Sequence, residues 1–138
     1  ENEGIQSLKY DVNGMWAFSW YDVHKQQITL VRDHFGVKPL YYMERNGDLF
    51  WSSTPRPLYA LLNLHNEFNI DQDKFQLFQQ ASRFMPMDLV PYTGIKKLAP
   101  GEIKTWDLKT KTFQVSDSMW GTDVAKWNLG CCLSSSYS

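Results

Sequence analysis

The chain has 138 residues and a net charge of −1, enough length for one domain with its own core and no basic block with which to track phosphates. Hydrophobic residues make up 43% and charged residues 21%, and no apolar run approaches the roughly 18 residues that a bilayer demands. Nucleic acid and membrane are therefore excluded as expected partners, and the polar residues 1–10 hold no signal peptide, so the expected compartment is cytoplasmic. The 6 Trp, 7 Tyr and 8 Phe favour strands over a helical bundle, because flat rings pack well on pleated surfaces.

The first ten residues form a weak amphipathic stretch with Ile5 and Leu8 three apart and no cap in front. Gly14 to Tyr21 reads as a strand with Trp16, Phe18 and Trp20 on one face and Met15, Ala17, Ser19 and Tyr21 on the other. Both faces are largely apolar, which predicts a strand covered on both sides. Asp22 to Lys25 is a turn, and Gln27 to Arg32 a second strand around Ile28 and Leu30. Asp33 to Pro39 is a loop containing Gly36. Leu40 to Glu44 is a third strand, joined through Asn46-Gly47 to a returning strand at Leu49 to Ser53. Residues 14–53 thus predict an antiparallel meander.

Thr54-Pro55 is a helix start, with a hydroxyl N-cap and proline at the first helical position, and the helix covers about residues 55–63. A second helix runs from an Asp71 N-cap to about Arg83, with Phe75, Leu77, Phe78 and Ala81 on its apolar face. Met85 to Tyr92, with two prolines, is a loop. Gly94 to Leu98 is a short strand and Pro100-Gly101 a turn. Glu102 to Asp107 and Thr112 to Ser116 form a second hairpin around Lys109 to Lys111. Residues 130–138 read as a flexible tail.

Candidate chemistry is sparse. Cys131 and Cys132 are adjacent, a strained geometry for a mutual disulfide and a poor metal site without other ligands. His24, His34 and His65 have no ligand-like spacing, so no metal site is expected.

Three segments together resemble a known family. Asn13-Gly14-Met15-Trp16-Ala17-Phe18 is similar to a G-M-F-A-F strand. Arg32-Asp33-His34-Phe35-Gly36-Val37-Lys38-Pro39-Leu40-Tyr41-Tyr42 is similar, almost letter for letter, to R-D-x-x-G-x-K-P-L-Y-Y. Gly94 to Glu102 is similar to G-I-x-K-L-P-P-G. In this order and spacing the three resemble the class II glutamine amidotransferase (glutaminase) domain of the asparagine synthetase family, over roughly residues 11–120. The signature residues are Gly14, Arg32, Asp33, Gly36, Lys38, Pro39, Tyr41, Pro100 and Gly101. One departure is Thr54-Pro55 after Phe50-Trp51-Ser52-Ser53, where the family usually carries a glutamate, so no subfamily is assigned.

The resemblance implies an α+β fold, part of an Ntn-hydrolase-like αββα sandwich of antiparallel sheets flanked by helices. Residues 1–120 would be the C-terminal portion of the glutaminase domain and 121–138 a linker or tail. The implied parent hydrolyses glutamine at an N-terminal cysteine and passes ammonia to an ATP-activated carboxylate, most simply aspartate. That cysteine, its oxyanion hole and the glutamine-holding residues lie upstream of the G-M-F-A-F strand, and only 13 residues precede Gly14. The expectation is therefore that this segment carries no catalytic and no substrate-binding residue. ATP and magnesium are expected only in a separate synthetase domain, which is the implied partner, and a homodimer is left open. The alternatives are a non-catalytic amidotransferase-like scaffold and an amidotransferase with a different acceptor. Physically, Gly36 permits a tight turn, Pro39 stiffens entry into the next strand, and Arg32 and Asp33 are expected to hold loop backbone groups or each other.

Overall fold

A computed structural model describes residues 14–65, 69–80, 90–114 and 117–119. Among these residues the chain forms two antiparallel sheets and two helices, an α+β architecture. Strands β1 (Ala17–Asp22) and β2 (Gln27–Arg32) form a hairpin, and β2 pairs on its other side with β6 (Glu102–Asp107). Strands β7 (Thr112–Phe113) and β8 (Asp117–Ser118) both lie along the far side of β6, at its two ends, completing sheet A. Sheet B has the order β4-β3-β5, built from the hairpin β3 (Tyr41–Arg45) and β4 (Asp48–Ser52) with the two-residue β5 (Lys96–Lys97).

The expected meander over residues 14–53 is corrected by this topology. β2 pairs with β6, not with β3, and the chain passes from sheet A to sheet B between Arg32 and Tyr41. The local hairpins follow from their turns, with Asn46 and Gly47 both at positive φ (52° and 77°) as a type I′ turn requires. The partner of β2 lies some 70 residues away, and short-range pattern carries no information about it.

The alternation of each strand builds three layers. Ile28 and Leu30 of β2 face Leu40, Tyr42 and Leu49 of sheet B, with Leu98 and Phe113 closing the inter-sheet layer. The Phe113 ring meets Tyr42 and Trp106 edge-on, at 5.3 and 4.9 Å. On the opposite face of sheet B, Met43 and Ile95 pack against Leu58 and Leu62 of helix α1 (Arg56–Leu64). On the outer face of sheet A, Val31, Ile103 and Met119 pack with Trp16 and Phe18.

Several boundaries differ from expectation. Helix α1 starts one residue late, with Pro55 at the N-cap and Pro57 in the first turn. Thr54 makes no side-chain cap, and its N–H instead donates to Ser52 Oγ at 3.3 Å. Helix α2 (Gln72–Gln80) has the expected cap, Asp71 Oδ1 accepting the Lys74 N–H at 3.1 Å. Its expected last turn, Ala81 to Arg83, lies outside the described residues. So do most of the 85–92 loop, the N-terminal stretch and the tail, Cys131 and Cys132 included. The β1 strand is not covered on both sides as its composition predicts: Ser19, Trp20 and Tyr21 are exposed, because β1 is the margin of sheet A among the described residues. No described helix is long and apolar enough to cross a membrane.

Candidate functional site

The loop that carries the chain between the sheets is organised by two buried charged side chains in succession, Arg32 (3% exposed) and Asp33 (0% exposed). Asp33 Oδ1 accepts the N–H groups of Phe35 (3.1 Å) and Val37 (3.0 Å), and Oδ2 accepts that of Lys38 (3.0 Å). The Asp33 main chain is equally engaged. Its N–H donates to the Trp16 carbonyl (2.9 Å), and its carbonyl accepts from Gly36 (3.0 Å) and Gly101 (2.8 Å). One residue therefore ties together β1, the loop and the entry to β6.

Arg32 does the complementary work on the loop's carbonyls. Its Nε donates to Lys38 O at 2.8 Å, while Nη1 donates to Leu98 O and Nη2 to Gly36 O. A planar fork with five fixed donors suits three carbonyls arriving from different directions, a geometry that a lysine ammonium cannot reproduce. Gly36 closes the fork at φ +63°. A Cβ there would lie 2.8 Å from Pro100 Cγ and 3.0 Å from Arg32 Cζ, so glycine is required both by conformation and by space.

The electrostatics agree with two neighbouring opposite charges, each held by backbone groups. Burial pushes the Asp33 carboxyl up, but the N–H bonds from Lys38, Val37 and Phe35 together hold it below the ordinary aspartate value. Burial lowers the affinity of the Arg32 guanidinium for its proton, opposed by the Asp33 charge beside it. Burial likewise raises the neighbouring Tyr41 phenol. Both carboxylate oxygens and all three guanidinium nitrogens are committed to backbone groups, so the node is built for holding shape. What it holds outward is the loop tip, with Phe35 74% and Val37 51% exposed.

A second polar cluster lies inside the inter-sheet layer. Lys104 Nζ donates to the Tyr42 hydroxyl at 2.7 Å, lies 3.5 Å from Glu102 Oε1, and sits 5.0 Å over the Tyr42 ring and 5.4 Å over Phe113. Burial alone would lower its pKa; the Tyr42 hydrogen bond and the Glu102 charge outweigh that and raise it. At the other end of the layer an open groove of about 310 Å³ is lined by Ile28, Leu49, Phe50, Trp106 and Leu108. Its charged rim is Asp48 and Lys111, 4.0 Å apart, and its lining holds no Ser, Thr, Cys or His. Among the described residues no three His, Cys, Asp or Glu side chains converge as a metal site.

The sequence profile of a family described as "glutamine amidotransferase domain" matches residues 1–119. The chain belongs to the glutamine amidotransferase domain family. Its sandwich of antiparallel sheets is accordingly Ntn-hydrolase-like. Among curated proteins it is similar to a Methanocaldococcus jannaschii protein provisionally named asparagine synthetase (glutamine-hydrolysing) 2, at 33% identity over 76% of this chain and 20% of that protein. It is also similar to asparagine synthetase (glutamine-hydrolysing) 2 of Bacillus subtilis (36% identity, 50% of this chain, 9% of that protein). A third relative is asparagine synthetase B (glutamine-hydrolysing) of Escherichia coli (28%, 62% and 16%). The matched part of this chain thus spans a fifth or less of the length of each of these relatives.

Of the signature residues in this amidotransferase domain, the structure brings Arg32, Asp33, Gly36, Pro100 and Gly101 into one node. Lys38 takes part through its N–H and carbonyl, while its side chain is exposed. Pro39 leads into Leu40, whose carbonyl accepts the Leu98 N–H at 2.8 Å. Tyr41 lies on the helix-facing side of sheet B, with Lys97 Nζ 5.7 Å from its ring. Gly14 stands apart, at φ +130° with open space around it. Sequence reading missed the Lys104 cluster, because no local signal tells that a lysine in an alternating strand will face another sheet. It also missed Glu102, whose Oε2 accepts the Ala99 N–H at 2.7 Å and pins the Pro100-Gly101 turn.

Proposed function

We propose that this chain is a portion of a glutamine-hydrolysing, asparagine synthetase-like amidotransferase, in which it forms scaffold and docking surface and takes no direct part in the chemistry. The complete protein would release ammonia from glutamine and use it in the ATP-dependent amidation of aspartate. The glutamine-hydrolysing names of the relatives support that reading. ATP and magnesium belong, on this proposal, to a synthetase domain of the same cytoplasmic polypeptide. The observation that carries the role of this segment is the Arg32–Asp33 node: every polar atom of both side chains is spent on backbone groups of the loop or of Leu98, and two apolar side chains, Phe35 and Val37, are held out from the loop. A rigid loop with an exposed apolar tip suits docking against a second domain, since little conformational freedom is lost on contact.

The test uses the complete polypeptide, assayed with glutamine, aspartate and ATP. Glutamine-dependent asparagine formation is expected. In the same protein, Phe35→Ser with Val37→Ser should lower glutamine-driven synthesis while leaving glutaminase and ammonia-driven synthesis intact. No hydrolysis of glutamine by the complete protein would refute the enzymatic reading. Equal loss of all three activities would refute the docking role.

A further inference from the structure

The turn at 98–101 is held from two sides. On one side is the loop node: Arg32 Nη1 donates to the Leu98 carbonyl, and the Gly101 N–H donates to the Asp33 carbonyl at 2.8 Å. On the other is Glu102, whose Oε2 accepts the Ala99 N–H at 2.7 Å while its own N–H donates to the Ala99 carbonyl at 3.1 Å. The second carboxylate oxygen of Glu102 lies 3.5 Å from Lys104 Nζ. That ammonium in turn donates to the hydroxyl of buried Tyr42 in sheet B, at 2.7 Å. One carboxylate thus divides itself between the turn and the strut that ties sheet A to sheet B.

Charge-assisted hydrogen bonds in a poorly solvated site strengthen one another. Glu102 and Lys104 are both largely buried, and Lys104 is the cation that favours holding the Glu102 carboxylate inside rather than in water. Without that ammonium, Glu102 gains by turning outward. Ala99 is then released, and the carbonyl and amide that engage Arg32 and Asp33 loosen with it. The Lys96–Glu44 pair, 3.4 Å apart, provides the contrast: Lys96 Nζ also lies over the Tyr42 ring, at 5.9 Å, but its carboxylate partner is on β3 and not at the turn. We propose that Glu102 couples the loop to the interior of the sandwich, so that fixing Phe35 and Val37 against a second domain also tightens the Lys104–Tyr42 strut between the sheets. The reverse holds equally, since a coupling between two sites is reciprocal. The second domain in this statement rests on the docking reading above; the coupling itself does not.

Amide hydrogen exchange of the complete polypeptide, read by mass spectrometry over 34–39, 98–102 and β2, tests this. Lys104→Met should speed exchange over 98–102 and over 34–39 by about fivefold and leave β2 unchanged. Glu102→Gln keeps an acceptor for Ala99 but no charge for Lys104. In that background Lys104→Met should alter exchange over 34–39 by less than about twofold. Lys96→Met, which breaks the outer pair, should also stay within about twofold. Exchange over 34–39 that ignores Lys104→Met overturns the proposal. So does an effect just as large in the Glu102→Gln background, or one matched by Lys96→Met. Equal acceleration in β2 would mean uniform destabilisation and overturns it too. The docking reading is decided separately, by Phe35→Ser with Val37→Ser, so a failure of one is distinguishable from a failure of the other.

Discussion

Replacing Asp33 probes the node most directly. Asp33→Ala removes the acceptor for three N–H groups and strips the buried Arg32 guanidinium of its adjacent negative charge. Hydrogen bonds to a charged group are worth roughly 1.5–3 kcal/mol each and do not sum fully when they share one acceptor. Leaving a buried charge without its partner costs about 3–5 kcal/mol. The expected loss is therefore about 3–5 kcal/mol, a large part of the ~5–15 kcal/mol that holds a domain folded. Asp33→Asn keeps one acceptor oxygen but turns an amide NH2 toward a backbone donor, and should cost about half as much. Urea unfolding followed by tryptophan fluorescence measures both. With a slope of roughly 2 kcal/mol per M, the alanine midpoint should fall by about 2 M. An alanine variant within about 1 kcal/mol of the parent, or an asparagine variant less stable than alanine, would refute the reasoning. The pH dependence has a definite sign. The folded carboxyl has a lowered pKa and so holds fewer protons than the unfolded one. Its contribution is full above the unfolded value of about 3.9 and is lost as pH falls toward the folded value. Asp33→Asn should accordingly flatten the acid limb of the stability profile below about pH 4.

The remaining predictions use the same denaturation measurement. Gly36→Ala should cost more than about 2 kcal/mol, combining left-handed backbone strain with contact on Pro100 and Arg32. Gly94→Ala, at φ +86° with nothing within 4 Å of its Cβ, should cost only about 1 kcal/mol of backbone strain. Equal losses would mean that the Pro100 contact is not rigid. Lys104→Met should lower stability at neutral pH, by about 1 kcal/mol, and flatten the alkaline limb. The folded pKa of Lys104 is raised, so its contribution is full below the unfolded value of about 10.4 and lost as pH rises through the folded one. An alkaline limb identical to the parent's would count against the Tyr42–Lys104 bond.

The sequence by itself determined the local elements. The β1–β2 turn, the Asn46-Gly47 hairpin, the Asp71-capped helix and the β6–β7 hairpin all stand within a few residues of where pattern and turn chemistry set them, because each depends on neighbours a few positions apart. The family was legible too, since the Arg32–Tyr42 run fixes a loop backbone through its own side chains. Long-range pairing was decided only by the tertiary structure. That β2 joins β6 rather than β3 and that β8 returns to β6 both depend on which distant apolar faces meet. The same holds for the node: Arg32 and Asp33 announced a loop, but Leu98, Pro100 and Gly101 reach it across more than 60 positions of chain. A tightly bound loop is encoded locally, whereas the surface it closes against exists only once the two sheets have stacked.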